Sequence, residues 1–333
     1  MKHLFLSFSL LASVALFAQS AHETAYSFLK TGDHDNAILV LNKALQTSPN
    51  DEQLLQDMTL AYYYKKDFTK AQEYAKKLTE KDDIDVSSYQ IAGTVYRAVE
   101  ETKEADKLYK KALKKYPASG ALYSEYGELL WSKNDDAAID QWERGIQADP
   151  SYAGNYYHAS SYYFFTKNKT WSILYGEIFV NMEYLTDRAR EIKEQLLKAY
   201  KEKLFLGGNT DEGKPSAPFE QAVYETYNKQ SSLTAKGLTV ETLTMIRTRF
   251  ILDWYAKYAA KFPFRLFDYQ QQLLRTGMFE AYNQWLFGPV ENLAAFDLWT
   301  KANAEAYKQF TTFQRGRIFK MPAGQFYGVK KST

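Results

Sequence analysis

Apolar and small residues recur along the first half of the chain at a fixed interval. Ala37, Ala71, Ala105 and Ala138 are separated by 34, 34 and 33 residues. Four positions after them stand Leu41, Ala75, Tyr109 and Trp142, and seven after them Ala44, Leu78, Ala112 and Gly145. Twelve after them come Pro49, Asp83, Pro117 and Pro150. A matching phase lies upstream, where "YQIAGTVY" (89–96) and "LYSEYGELL" (122–130) each hold an aromatic, a small residue and a large residue. Offsets of four and seven place these side chains on one helix face. The pattern therefore predicts helix–turn–helix units. Small residues let the two helices approach, large ones fill the groove between neighbours, and a closing Pro stops the second helix. One such unit cannot bury its apolar face alone, so several stack.

These phased residues resemble the tetratricopeptide repeat (TPR) over residues 21–186, most clearly over 21–150. The fourth unit is one residue short in its turn. In a fifth, Ala159 and Tyr163 keep the first-helix pattern, but Ser172 and Gly176 stand at the small and large positions of the second helix. The charged segment 187–205, with Ile192, Leu196, Leu197 and Tyr200 at helical spacing, reads as a capping helix. The resemblance implies an α-solenoid of about five units whose first helices line a concave groove. Carried onto this sequence, the groove positions are Gln56, Tyr63, Tyr64, Gln90, Arg97, Glu128, Trp131, Tyr157, Phe164 and Phe165. Amides that pair with backbone and aromatics that supply apolar area suit an extended peptide or an amphipathic helix.

Residues 206–218 have linker composition. Within them, Gly208 and Gly213-Lys214 fit a phosphate-binding loop up to Pro215, which replaces the hydroxyl residue and lacks an N–H. No apolar strand precedes this stretch, so a nucleotide site is not expected. Residues 219–333 carry no repeat phase and predict an aromatic-rich helical domain. Helices are expected after Pro218, from Thr239 to before Pro263, over 264–276 and 278–287, and from Pro289 onward, with Gly277 and Gly288 as breaks. Phe250, Trp254, Tyr258 and Phe262 mark one core face, and Phe296, Trp299, Tyr307 and Phe310 fall at core-like spacings. Arg249, Asp253, Arg265, Asp268, Glu280, Glu291 and Asp297 read as ion-pairing groups at helix ends. The tail from Gln314 reads as a strand-like or irregular extension.

Composition narrows the chemistry. The chain of 333 residues contains no cysteine, which removes disulfides, thiolate metal sites and thiol nucleophiles. All four histidines, His3, His22, His34 and His158, precede residue 219, and His22 and His34 read as surface residues. No cofactor or metal is expected. The net charge of +2 demands no nucleic acid. Residues 1–20, with Lys2 before an apolar run and Ala18-Gln19-Ser20 at its end, read as a secretory signal peptide, and no later segment is apolar enough to span a bilayer.

The expected organisation is thus all-α: signal peptide 1–20, TPR solenoid with capping helix 21–205, linker 206–218 and helical domain 219–333. The expected role is an exported, non-enzymatic scaffold, periplasmic or outer-membrane associated in a bacterium, that holds another envelope protein or peptide. The alternative is a glycan- or nutrient-binding component using the C-terminal aromatics. A carboxylate hydrolase is the only enzyme left open.

Overall fold

The computed structural model describes residues 18–166, 169–204 and 217–328. Among them every regular element is a helix. Most of the expected signal peptide (residues 1–17), the Gly-Lys stretch and most of the expected linker lie outside the described residues; Ala217 and Pro218, its last two residues, open a helix. Contacts divide the chain into two compact units, 1–138 and 139–333. That division falls at the start of α8 (Ala137–Ala148), far upstream of residues 206–218.

Unit 1 holds α1 (18–30), α2 (His34–Thr47), α3 (Glu52–Tyr64), α4 (Phe68–Thr79), α5 (Val86–Ala98), α6 (Thr102–Lys115) and α7 (Gly120–Ser132). Asp33, Asp51, Asp67 and Asp85 cap four of them by accepting a backbone N–H from the first turn, which satisfies donors the helix leaves free. The sequence period reappears in the backbone. Gly32, Lys66, Glu100 and Asn134 adopt positive φ of 77°, 65°, 60° and 56°. The residue after each donates its N–H back into the preceding helix, to Phe28, Tyr62, Tyr96 and Leu130, at 2.9–3.0 Å. This is the left-handed helix stop that glycine favours. Only the first of the four is glycine, so hairpin packing rather than local preference sets the turn. The shortened fourth unit loses its residue between Asn134 and Ala138.

Consecutive helices pack in order, and α3 and α7 also pack on α5. The alanines of the repeat are the interhelix contact: Ala37, Leu41 and Ala44 are buried with Leu54, Met58 and Ala61. Gly93 shows why a small residue is needed, since a Cβ there would meet Tyr109 Oη at 2.2 Å.

Unit 2 continues with α9 (Ala153–Phe165), α10 (Lys169–Met182) and α11 (Asp187–Lys198), the last ending in a π-helical turn, Ala199–Leu204. Next come α12 (Pro218–Asn228), a 3-10 turn (Ser231–Lys236), α13 (Val240–Lys257), α14 (Arg265–Arg275), α15 (Phe279–Glu291), α16 (Leu293–Ala302) and α17 (Ala304–Arg315). The fifth hairpin departs from the repeat because α10 is a central helix. It is buried from Thr170 to Asn181 and packs against α9, α11 and α12. Gly176 permits this, as a Cβ there would lie 2.7 Å from Ser160 Oγ and 3.1 Å from Ile192 and Leu196.

Several helix boundaries differ from the sequence expectation: α13 ends at Lys257, short of Pro263, and Asn303 divides the helix expected from Pro289 onward. Gly288 and Pro289 do not break a helix; α15 runs through both, and Asn292 caps the separate α16. Gly288 instead accommodates Phe296, 2.6 Å from where its Cβ would be. Pro289 supplies no N–H to the Trp285 carbonyl one turn back, and that carbonyl accepts from Lys193 Nζ at 3.0 Å. The tail described after α17, residues 317–328, is irregular apart from a turn, one of the two forms expected, and buries Phe319 and Met321.

The C-terminal aromatics form a core. Tyr227 stacks on Phe250 at 4.0 Å, Phe219 on Tyr327 at 4.4 Å, and Trp254 meets Phe267 edge-on at 4.8 Å. Tyr258 and Phe262 are only half-buried, because α13 ends at Lys257. Inside this core lies a buried ion pair between Glu177 of α10 and Arg247 of α13. Glu177 Oε1 also accepts from Gln270 at 2.7 Å and Tyr282 at 2.6 Å, and Arg247 Nη1 donates to Asn283 at 2.6 Å. Burial pulls the Arg247 pKa down, but the Glu177 carboxylate and nearby tyrosines outweigh it and the net direction is up.

Candidate functional site

In unit 1 the first helices of successive hairpins, α1, α3 and α5, line an opening of about 360 Å³. Helix α3 presents Gln53, Gln56, Asp57, Leu60 and Tyr64, a stripe at spacings of three and four residues. From α1 come His22, Tyr26, Leu29 and Lys30, and from α5 come Ser87 and Ile91. The wall therefore combines apolar side chains with amides and two tyrosines. Tyr64 is 52% exposed.

At the floor, Asp57 is only 5% exposed on its side chain and meets His22 Nδ1 at 2.6 Å. Gln53 Nε2 donates to its other oxygen at 3.3 Å. Burial raises the Asp57 pKa, opposed by the hydrogen bond from His22. His22, read from sequence as a surface residue, is thus a part-buried member of the site. His34 stacks on Tyr64 at 6.1 Å.

The sequence-predicted groove residues separate into two sets. Gln56 lines the opening, but its amide donates to Asp85 at 3.1 Å and Ser88 at 2.8 Å on the next hairpin. Gln90 donates to Glu125 at 2.7 Å, and Arg97 pairs with Glu128. Burial raises the Glu125 pKa. These side chains form a polar seam that joins α3 to α5 and α5 to α7. Tyr63 packs edge-on against Tyr64 at 5.6 Å and Phe68 at 5.9 Å, outside the lining set. Trp131 is 41% exposed on α7. In unit 2, Tyr157 donates to Glu191 at 2.9 Å, and Phe164 contacts Phe165, which is exposed. Sequence reasoning missed Gln53, Asp57, Leu60, Ser87 and Ile91. Their signal was the α3 stripe 53–57–60–64 and its counterpart 87–91.

Of the C-terminal charges, Glu291 ties helix ends as expected, accepting from Lys201 at 2.7 Å and from the Val240 N–H at 2.9 Å. Asp268 accepts from Tyr255, Glu280 from Trp299 and Asp253 from Gln230, which uses these carboxylates in packing. No group of three or more His, Asp or Glu side chains suited to a metal occurs among the described residues. None of the helices described is long and apolar enough to cross a membrane.

The phased hairpins, left-handed stops and small-residue contacts define a TPR-type segment. No family model and no curated protein sequence matches the chain. Solved structures similar to it include MamA from Desulfovibrio magneticus RS-1, at 17% identity over 55% of this chain and 93% of that one, TM-score 0.38. TTC0263, a thermophilic TPR protein of Thermus thermophilus, shares 15% identity over 54% of this chain and 99% of its own, TM-score 0.45. YrrB, a TPR protein described as having an unusual peptide-binding site, shares 16% over 54% and 84%, TM-score 0.36.

Proposed function

We propose that this chain is an exported, non-catalytic scaffold of the bacterial envelope that holds an extended segment or amphipathic helix of another protein in the unit 1 opening. The observation that carries this reading is the lining itself. Leu29, Leu60 and Ile91 offer apolar area beside the exposed amide of Gln53, which can pair with a peptide backbone. Many of the C-terminal aromatics stack on one another in a core, which favours the groove over the glycan alternative.

A photo-crosslinking side chain at Tyr64 should capture a discrete partner in intact cells, and one at the outward Lys77 should not. Adding Leu60→Glu should abolish the Tyr64 adduct while circular dichroism stays unchanged. Equal capture from both positions, or an adduct indifferent to Leu60→Glu, defeats the groove. Export is tested separately, by the intact mass of the chain in the periplasmic or outer-membrane fraction. A mature chain lacking roughly the first 20 residues is expected from the signal pattern.

A further inference from the structure

The charges of unit 1 are segregated by helix. The first helices of the hairpins, α1, α3, α5 and α7, carry Glu23, Glu52, Asp57, Glu125 and Glu128 against Lys30 and Arg97, a net of −3, and of these Asp57 and Lys30 line the opening itself. The second helices, α2, α4 and α6, carry ten lysines against Asp35, Glu73, Glu104 and Asp106, a net of +6. Summed over the row, the first helices are therefore acidic and the second basic; the contrast lies in α3 against α4 and in α7 against α6, since α1 and α2 are each neutral and α5 carries Arg97 alone. Asp57 is almost fully buried; one of its oxygens is held by His22 Nδ1 at 2.6 Å, and the other accepts from Gln53 only across a long 3.3 Å contact. A charged donor entering the opening would exchange that contact for a shorter, charge-assisted bond in a poorly solvated place.

We propose that the opening selects a cationic peptide segment, one that sets a Lys or Arg side chain against Asp57 and an apolar side chain between Leu60 and Ile91. This rests on the reading of the opening as the binding face. The basic outer helices repel the same segment, so charge directs it to one side of the hairpin row.

A random 12-residue display library panned on the full chain tests both levels. The expected outcome is enrichment of sequences that combine Lys or Arg with Leu, Ile or Phe. Synthetic versions should lose about tenfold or more in Kd on Asp57→Asn, the weight of one charged hydrogen bond. They should gain affinity on Lys30→Glu, a substitution at the rim that leaves the core untouched and decides the matter should Asp57→Asn disturb folding. Peptides that depend on Leu60 yet lack basic residues, or are indifferent to Asp57→Asn and Lys30→Glu, overturn this inference and leave the groove standing. An absence of any binder sensitive to Leu60→Glu removes the groove, and the selectivity with it.

Discussion

Arg247→Met removes the cation from the buried pair of unit 2 and keeps most of the side-chain stem. Both partners are essentially unexposed, at 0% and 1%. Breaking such a pair from one side costs about 3–5 kcal/mol, because the remaining charge has no water to return to. The two ends are not equivalent. Glu177 keeps the neutral donors Gln270 and Tyr282 and can take up a proton, so Arg247→Met belongs near the lower figure, about 3 kcal/mol. A guanidinium cannot deprotonate, and Arg247 lies among the rings of Phe279, Tyr282 and Phe287 at 5.2–5.6 Å. Glu177→Gln therefore belongs near the upper figure, about 5 kcal/mol. The double variant should cost well under the sum of the two. Urea unfolding followed by tryptophan fluorescence suits the measurement, since Trp142, Trp171, Trp254, Trp285 and Trp299 all lie in unit 2. The pH dependence provides a check. A carboxylate stripped of its cation binds its proton more tightly folded than unfolded, so stability is lost as pH rises through that interval. Arg247→Met should then be closer to the parent at pH 5 than at pH 8, with no such trend for Glu177→Gln. A cost below about 1 kcal/mol for Arg247→Met, or additive single costs, refutes the argument.

Gly93→Ala and Gly176→Ala should each destabilise by about 1–3 kcal/mol in thermal melts, since each Cβ meets a packed neighbour. Gly32→Ala should cost about 1 kcal/mol, whereas Glu100→Gly, at the equivalent turn, should be neutral or stabilising, because it relieves a left-handed residue. Burial lowers the Lys193 pKa to about 7. Between there and the unfolded value near ~10.4, the unfolded chain holds a proton that the folded chain has released. Stability contributed at this site therefore rises with pH across that window, by at most about 1.4 kcal/mol per unit and less as solvent reaches the half-buried side chain. Melting of Lys193→Met at pH 7, 8 and 9 should show a flatter slope than the parent.

The repeat was legible because each phased position has one physical task. Ala37, Ala71 and Ala105 are fully buried where helices touch. The C-terminal helices were legible where a cap was strong, as at Thr239, whose hydroxyl and Thr242 close a capping box. The failures have equally specific causes. Gly288 and Pro289 look like a break, yet Phe296 needs the missing Cβ and Lys193 satisfies the carbonyl that proline leaves open, both from elsewhere in the fold. Arg247 lies four residues after Leu243 and three before Phe250, on the apolar stripe of α13. Its position was readable, but its partner, seventy residues earlier in α10, was not.

The groove residues show how small the gap between fold and site can be. One residue advances about 100° around a helix. Tyr63 and Gln90, placed in the groove from the sequence, each precede by one residue Tyr64 and Ile91, which line the opening. That single step carries Gln90 out of the opening and into the seam between hairpins, where it meets Glu125 as Arg97 meets Glu128. The two faces should therefore separate experimentally. Gln90→Ala takes one donor from Glu125, whose pKa burial already raises, while the Tyr109 hydroxyl still donates to it, and should cost about 1–2 kcal/mol of unfolding free energy. It should leave the Tyr64 cross-link to the partner intact. Ile91→Glu, one residue on, changes a half-buried surface and should leave melting within about 1 kcal/mol of the parent. It should abolish the cross-link. Loss of partner capture in Gln90→Ala at unchanged stability would show that the bound segment lies over the seam, and would move the binding face by one helix position.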